Sequence, residues 1–366
     1  MKLYISVIVV FCWLSCGNLA KDKKREVEKL TTDSIPKKEV ASIKKGDTIS
    51  LIAVGDIMFG TTFPNKNKMP PNDGNDLLQH FTSQLKDADI TFGNAEGVFL
   101  DSGGTPKGIG GNVFCFRQPK RYANFFTNNG FDLISIANNH IADFGNEGIK
   151  STVATLQNLP IDFAGTIDHP TTIIKVRNCT IGMAAFAPHK GCVSMNDLAN
   201  AAIIVKNLKT KCDVVFVSYH AGAEGSKATH VPKRIEIFFG QNRGDVYKFS
   251  HTMIDAGADI VIGHGPHVAR GMELYKNKFI AYSLGNFCTY GMFNLDGVSG
   301  IAPLLKINVN ENGDFINGTL TSIKQIGEGG PLVDSSFAAF NLIKKLSETD
   351  FPGSTLQFKE NRFLEK

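Results

Sequence analysis

The sequence predicts an α/β domain with two β-sheets. From Ile49 onward, short apolar runs alternate with segments of helical periodicity, which is the pattern of an α/β protein. After Gly271 the rhythm changes to strands joined by short turns, which is typical of antiparallel pairing. The chain of 366 residues, 42% of them apolar, is long enough to bury a substantial core. We expect one layered domain over residues 48–366, because no composition break or internal repeat divides it.

The part of the domain before Gly271 is predicted to alternate strands with helices. Its apolar runs predict strands at residues 49–54, 90–92, 133–136, 161–164, 181–186, 214–218 and 260–262. The segments between several of these runs have helical spacing and predict helices at residues 76–86, 119–128, 146–156, 197–208 and 245–256.

The part after Gly271 is predicted to be mainly β-structure. Strands are expected at residues 272–274, 279–283, 302–309 and 319–326, followed by a closing helix at residues 336–346. Because short turns join these strands, we expect a mostly antiparallel second sheet toward the C-terminus.

The first 47 residues are predicted to lie outside this domain. Lys2 and the apolar run at residues 3–14 are typical of a secretory signal, here residues 1–15. The end of this run, Trp-Leu-Ser-Cys16-Gly, resembles a bacterial lipobox, in which the Cys becomes the lipid-modified first residue. Residues 16–47 are polar and basic and are predicted to be a tether. We expect an exported protein that is lipid-anchored to a cell-envelope membrane through Cys16, with a secreted or periplasmic protein as the alternative.

The charge distribution and the cysteine spacing give no support for a nucleic-acid-binding protein or for a fold held together by disulfides or a zinc ribbon. Lys2 and residues 21–47, with nine Lys and Arg against six Asp and Glu, account for the whole net charge of +4. The neutral remainder gives no reason to expect nucleic-acid binding, which needs a basic face. The cysteines beyond Cys16 are widely spaced and form no C-x-x-C, so neither a disulfide framework nor a zinc ribbon is predicted.

Polar side chains follow several of the predicted strands, at the point where ligands bind in open α/β sheets. The clusters are Asp56 in GDIMFG, Asn94 and Glu96 in GNAEG, Asn139 and His140 in ANNH, His220 in SYHAGAE, and His264 and His267 in GHGPH. Carboxylate, amide and imidazole groups are metal ligands, and His140 would remain free to protonate a leaving group. Taken singly, each cluster is also explained by a turn, a cap or a hydrogen-bonded loop. Together they favour one divalent-metal site.

These motifs, together with FRQP and YSLGNF, resemble the capsule-synthesis CapA family, also called the poly-γ-glutamate synthesis family, which is similar to the calcineurin-like metallophosphoesterases. The resemblance covers residues 50–287. It implies a four-layer α/β/β/α sandwich with a metal site at the sheet rim. By position, it implies carboxylate or amide ligands at Asp56, Asn94 or Glu96, and Asn139, imidazole ligands at His220, His264 and His267, and an acid at His140.

Two further residues are predicted to contact the substrate. Arg117 in FRQP matches a family position, and its planar fork is suited to a carboxylate or phosphate. Asn286 in YSLGN is expected to shape the rim of the site. For each, a surface or turn residue without a functional role is the alternative.

The leading functional hypothesis is a cell-envelope, metal-dependent hydrolase that acts on an anionic polymer or a phosphoester. One or two ions of manganese, iron or zinc are expected to activate water, while Arg117 holds the anion and His140 protonates the departing oxygen. Metallophosphoesterases usually have a ligand His where this chain has Met58, and a second bridging Asp where it has Asn94. Those differences motivate the alternative, a non-enzymatic, lipid-anchored accessory subunit that binds nascent polymer or a membrane synthase.

Overall fold

The structure, a computed structural model, describes residues 48–111, 113–327, 329–360 and 362–364. The predicted signal segment, the lipobox at Cys16 and the tether lie outside the described residues. Within the described ranges, none of the helices combines the length and the apolar character that a membrane span requires.

The strands are numbered along the chain. They are β1 (Ile49–Met58), β2 (Ile90–Ala95), β3 (Val98–Phe99), β4 (Arg117–Gln118), β5 (Leu133–Ser135), β6 (Asp162–Ala164), β7 (Thr171–Val176), β8 (Cys179–Phe186), β9 (Val214–His220), β10 (Ile237–Phe238), β11 (Gln241–Asn242), β12 (Ile260–His264), β13 (Met272–Tyr275), β14 (Lys278–Ala281), β15 (Asn286–Thr289), β16 (Ile301–Val309), β17 (Phe315–Lys324), β18 (Leu332–Val333), β19 (Gln357–Lys359) and β20 (Arg362–Leu364).

The helices are numbered in the same way. They are α1 (Thr82–Leu85), α2 (Asn124–Asn128), α3 (Gly145–Gln157), α4 (Leu198–Lys209), α5 (Val246–Asp255) and α6 (Ala338–Asp350). Short 3₁₀ turns occur at Pro71–Gly74, Lys120–Ala123 and Gly297–Gly300.

The strands form two large mixed sheets. The first sheet has the order β19-β20-β17-β16-β1-β2-β5-β6, with β15 paired to β1 and β18 to β17. Within it β1, β2, β5 and β6 run parallel, whereas β16 is antiparallel to β1. The second sheet has the order β13-β14-β12-β9-β8-β7, with β8, β9, β12 and β14 parallel. Parallel strands end at the same edge of a sheet, so each sheet presents one edge of carboxyl ends.

The two sheets face each other across the core. The ring of Phe92 in β2 lies 4.6 Å from that of Phe216 in β9, in an edge-to-face arrangement. Alternate residues of β9 point to opposite faces: Val214 and Phe216 belong to the core between the sheets, whereas Val215 and Val217 pack with residues of α4 and α5. A strand covered on both faces is expected to be apolar throughout, as the run VVFV is.

The α/β class and the presence of two sheets are confirmed, but the C-terminal strands do not form a sheet of their own. Strands β16 to β20 extend the first sheet, because β16 pairs with β1. The β13–β14 hairpin instead extends the second sheet, because β14 pairs in parallel with β12. Pairing between neighbouring strands of this region is antiparallel, as predicted.

The predicted helix at residues 76–86 is mostly a series of turns. Its backbone bonds, such as Leu77 N to Gly74 O and Phe81 N to Leu78 O, span three residues, and only α1 is α-helical. The turn-forming run Asn72-Asp-Gly-Asn75 precedes it and sets this tight geometry.

Candidate metal centre

Strand register brings the first polar residues together at the carboxyl edge of the first sheet. Asp56 in β1 is the register partner of Asn94 in β2 and of Asn286 in β15. Side chains of register partners on neighbouring strands lie side by side. The Asn94 amide, through Nδ2, donates to Asp56 Oδ1 over 2.9 Å, and all three residues are buried.

The second sheet supplies two imidazoles at its own carboxyl edge. His220 ends β9 and His264 ends β12, and the two are register partners. His220 Nδ1 lies 3.2 Å from Asn94 Nδ2, which joins the two sheets at this point. His264 Nε2 donates to the carbonyl oxygen of Val54 in β1 over 3.1 Å. That bond fixes the ring and leaves Nδ1 of His264 as the nitrogen with a free lone pair.

His267 reaches the cluster from a tight loop after β12. Its backbone is left-handed, with φ of 56°, an uncommon conformation for a non-glycine residue. Its Nδ1 lies 3.0 Å from Asp56 Oδ2 and 3.1 Å from Asn286 Oδ1. Gly265 makes the loop possible, because a Cβ there would lie 2.7 Å from the backbone of Ala221. Strain of this kind is typical of functional sites.

Glu96 lies at the centre of the imidazoles without a hydrogen bond. It is fully buried, and neither carboxylate oxygen accepts a hydrogen bond from any described residue. Its Oε1 lies 3.5 Å from His267 Nε2, 3.7 Å from His140 Nε2 and 3.9 Å from His220 Nε2. One ligand atom from each of Glu96, His220 and His267 falls within 4.8 Å of the others, so the group can hold a metal ion.

Burial and the neighbouring charges shift the pKa of Glu96, His267 and Asp56 in this cluster. Burial raises the pKa of Glu96 well above its ordinary value, although the charge on His267 opposes the shift. Burial disfavours the charged form of His267, but Glu96 and Asp56 outweigh it and raise the His267 pKa to about 10. Burial likewise opposes the charged form of Asp56, yet its contact with His267 lowers the Asp56 pKa. Burial thus disfavours the charged form of Glu96, and a cation beside it would favour that form.

His140 is held beside this cluster by a buried carboxylate. Asp143 Oδ2 lies 2.7 Å from His140 Nδ1, and the ring of Phe116 stacks on His140 with centroids 4.0 Å apart. Nε2 of His140 therefore faces Glu96. Burial lowers the pKa of His140, while the Asp143 charge opposes that shift.

A cavity of about 1030 Å³ opens onto His140. Its polar lining includes Asn139, Lys107, His189, Lys190, Glu224 and Arg243. Glu224 forms an ion pair with Arg243, and Lys107 Nζ lies 2.6 Å from Asp143 Oδ1. Burial lowers the pKa of His189 to about 3. The cavity thus reaches the side of the centre that carries His140.

Comparison with known proteins identifies the family. Residues 50–290 match the family model for bacterial capsule synthesis protein PGA_cap. The chain belongs to this family. The motifs from Asp56 to Asn286 all fall within the matched residues, so the resemblance drawn from the sequence is confirmed.

Relatives of this chain carry names that refer to capsule, PGA or polyglutamine synthesis. Capsule biosynthesis protein CapA of Bacillus anthracis is 26% identical over 275 residues, covering 68% of this chain and 62% of that protein. PGA biosynthesis protein CapA of Bacillus subtilis (strain 168) is 27% identical over 300 residues, or 74% of each chain. A probable polyglutamine synthesis accessory protein of Mycobacterium tuberculosis is 32% identical over 178 residues, 42% of this chain and 43% of that one. The match thus spans less than two thirds of the Bacillus anthracis relative.

Solved structures with similar folds are distant in sequence. A hypothetical protein from Thermus thermophilus is 14% identical with a TM-score of 0.47, covering 76% of this chain and 100% of that chain. A putative 5′-nucleotidase from Staphylococcus aureus is 18% identical with a TM-score of 0.41, covering 82% and 58%. Purple acid phosphatase PPD1 from yellow lupin is 11% identical with a TM-score of 0.42, covering 86% and 58%.

Most residues predicted for the site are brought together in this member of the PGA_cap family, but some are engaged elsewhere. Asn139 lines the cavity beside His140, and no described hydrogen bond links it with Asp56 or Glu96. Its buried Oδ1 lacks a hydrogen-bond partner among the described residues, so it is available to a ligand. The roles assigned to these residues stay predictions.

The two predicted substrate contacts are occupied within the protein. The Arg117 guanidinium donates to Thr62 and to the carbonyl of Gly103, and it is not part of the cavity lining. Asn286 is buried, donates to the carbonyls of His267 and Ser299, and lies beside His267 Nδ1. The structure therefore gives Asn286 a position from which it orients His267.

Two residues of the site were missed by the sequence reasoning. Asn138 donates to Ala95 O and Asn94 Oδ1 and accepts from His140 N, which ties the site strands together. Asp143 orients His140 through the contact with Nδ1. The spacing of three residues between His140 and Asp143 was a readable signal, because residues so spaced meet in a turn. Nothing in the sequence distinguishes Asn138 from Asn139.

Proposed function

We propose that this chain is a metal-dependent hydrolase of bacterial capsule synthesis, acting at the cell envelope on an anionic polymer or a phosphoester. The observation that carries the proposal is Glu96, a buried carboxylate without a hydrogen bond that faces three imidazole nitrogens. Burying a carboxylate in this way costs several kcal/mol, on the order of the usual desolvation penalty, unless a cation compensates the charge or the group takes up a proton.

The donor set fits a divalent cation. Glu96, His220 and His267 would hold it, with Asp56 adjacent, and mixed carboxylate and imidazole donors suit manganese, iron or zinc. A cation bound there supplies Lewis acidity, which lowers the pKa of water and offsets the charge of an ester. The family is named for bacterial capsule synthesis, and relatives of this chain are named for capsule and polyglutamine synthesis. These names support a polymer-related role.

The protein's own residues supply the proton chemistry. Asp143 accepts from Nδ1 of His140, so Nε2 carries the proton that the protonated form of His140 would give to a substrate. Phe116 keeps the ring plane fixed by stacking, and Asn138 fixes the backbone of His140. Protonation of the leaving oxygen from Nε2 is the step that this geometry favours.

The test compares bound metal and turnover in matched variants of the purified protein. Metal content is measured by elemental analysis after incubation with manganese, iron or zinc, and phosphoesters and γ-glutamyl polymer are assayed as substrates. We expect Glu96→Ala to lose the metal, His140→Gln to keep it but lose turnover by about 10²-fold or more, and His230→Gln to retain both. His230 is the control because it is exposed and pairs with Asp350 at another surface. Absence of both stoichiometric metal and turnover in the wild type would refute the hydrolase.

A second candidate is a non-enzymatic accessory subunit that binds polymer or a membrane synthase. It is favoured by Met58, whose sulfur accepts a hydrogen bond from Gly60 N and is therefore engaged in its own turn. Metal binding without turnover of any ester, combined with retention of γ-glutamyl polymer on the protein, would favour this candidate.

Attachment to a membrane through Cys16 is part of the same proposal. Replacing Cys16 with Ala removes the lipid-accepting thiol, so Cys16→Ala should shift the protein from the membrane fraction to the soluble fraction. Cys12→Ala is the control. Unchanged membrane retention of Cys16→Ala would contradict the anchor.

A further inference from the structure

The cavity beside His140 is lined by both polar and apolar groups. The polar groups include the largely buried His140, whose Nε2 lies 3.7 Å from Glu96 Oε1. Four large apolar side chains also line it, and they come from two separate segments. Val113 and Phe114 belong to the segment before β4, and Phe238 and Phe239 belong to the β10–β11 hairpin.

Three of these apolar side chains are unusually exposed for their size. Val113 is 43% exposed, Phe114 46% and Phe239 74%. A protein surface rarely exposes several large apolar side chains around one cavity unless the patch binds something apolar.

The charges of the cavity do not suit a dense polyanion. Lys107 is paired with Asp143, and Arg243 with Glu224. Among the cavity lysines and arginines, Lys190 is the one that has no carboxylate within ion-pair distance in the described part of the chain. A nearly balanced lining attracts a single anionic group more readily than a row of them.

We propose that this cavity binds an anionic ester that carries a long apolar chain. The anionic group lies beside Lys190 and His140, and the chain lies between the Val113–Phe114 segment and the β10–β11 hairpin. A volume of about 1030 Å³ is at the upper end of the range for drug-sized ligands, and far more than one phosphate needs. The proposal rests on the proposed function, because it names the substrate class of the same site.

Binding of non-hydrolysable analogues tests the proposal without requiring turnover. Dodecylphosphonate, kept below its micelle concentration, and methylphosphonate are titrated calorimetrically into the metal-loaded full chain carrying Cys16→Ala. We expect dodecylphosphonate to bind at least about tenfold more tightly, because part of its chain is removed from water. The double variant Phe114→Ser and Phe239→Ser should lose most of that preference. Phe337→Ser is the matched control, since Phe337 is 44% exposed and lies outside the cavity lining.

Three results would overturn the proposal: equal affinities for the two phosphonates, no measurable binding of dodecylphosphonate, or a chain preference that persists in the double variant. Hydrolysis of methyl p-nitrophenyl phosphate, a small ester, is measured in parallel. Turnover of this ester without any chain preference contradicts the apolar-chain proposal alone. A chain preference without turnover of any tested ester supports the binding proposal and favours the non-enzymatic candidate.

Discussion

Glu96 has an environment suited to a positive charge beside it. Its carboxyl group is fully buried, has no hydrogen bond from the described residues, and faces nitrogens of His140, His220 and His267. Burial raises the pKa of Glu96 well above its ordinary value, and the charge on His267 opposes that shift. A divalent ion beside Glu96 would favour the carboxylate form more strongly than an imidazolium does.

We therefore expect Glu96→Gln to abolish stabilisation by metal. Adding Mn²⁺ at about 100 times its Kd should stabilise the wild type by about 2.7 kcal/mol, because the ion binds the folded state. Glutamine keeps the shape of Glu96 but not its charge, so the variant should gain little. Thermal unfolding with Mn²⁺ and with chelator measures the metal stabilisation of the wild type and of Glu96→Gln. Glu348→Gln is the control, because Glu348 is an exposed residue of α6. If Mn²⁺ stabilised Glu96→Gln as much as the wild type, Glu96 would not be a metal ligand.

Strand β1 delivers Asp56 through an irregular stretch rather than through a regular strand. Its register shifts on both sides of Asp56, and Asp56 N donates to Gly285 O over 2.8 Å. Gly55 allows this approach, because a Cβ there would lie 2.0 Å from Gly285 O. The bulge thereby directs Asp56 toward the centre.

Gly55→Ala should be strongly destabilising for this reason. The new methyl group would overlap a backbone carbonyl, which cannot move away as a flexible side chain can, and we expect a loss of about 2–4 kcal/mol in the free energy of unfolding. Gly353→Ala is the matched control, since nothing lies within 4 Å of the added Cβ there, and it should change stability by less than about 0.5 kcal/mol. Denaturant unfolding of both variants checks the difference; equal stabilities would mean that the close approach at Gly55 is not required.

The link between β8 and β9 should make stability depend on pH. Hydrogen bonds from the side chain and backbone of Thr180 lower the pKa of Asp213 below its ordinary value of 3.8. A carboxylate whose pKa is lower in the folded state stabilises the fold above the unfolded-state pKa, and this contribution is lost as the pH falls through the folded-state pKa. Asp213→Asn should thus be less stable than the wild type at pH 7, with a smaller difference near pH 3. Urea unfolding at pH 7 and pH 3 measures the difference in the free energy of unfolding between the two proteins. The same difference at both pH values would contradict the proposed effect of Asp213.

Elements with a strong local pattern were predicted well from the sequence, whereas edge and short elements were not. Helices α4 and α5 begin one residue after the predicted start, because Asp197 and Asp245 accept hydrogen bonds from the first turn and are readable as caps. Strand β7, TTIIKV, was missed because it is a partly exposed edge strand without a continuous apolar run. Strand β15, Asn286–Thr289, was missed because Asn286 was read as the end of the YSLGN turn and the next three residues are too few to form a readable apolar run.

At the scale of the whole molecule, the site exists only because two sheets meet. Asp56, Asn94 and Glu96 come from the first sheet and the turn after it, and His220 and His264 come from the second. Strand ends in the sequence identified these residues, since polar groups after apolar runs are a local signal. Which strands are neighbours, and that Asn94 meets His220 across the sheets, depends on long-range pairing that one sequence does not reveal. The same reason explains why the placement of the C-terminal strands was wrong.

Because the sheets carry different ligands, packing between them should control both stability and metal affinity. Phe216 fills the space between the sheets against Phe92, so Phe216→Ala should cost about 3–5 kcal/mol in the free energy of unfolding. The cavity would also loosen the spacing of His220 and Glu96, so the variant should bind Mn²⁺ more weakly although it retains every ligand. Phe114→Ala is the control, because Phe114 is 46% exposed and should change stability by less than about 0.5 kcal/mol. Chemical unfolding and metal titration of the folded variants give the two readouts. Unchanged metal affinity in a destabilised Phe216→Ala protein would show that each sheet positions its ligands independently of the other.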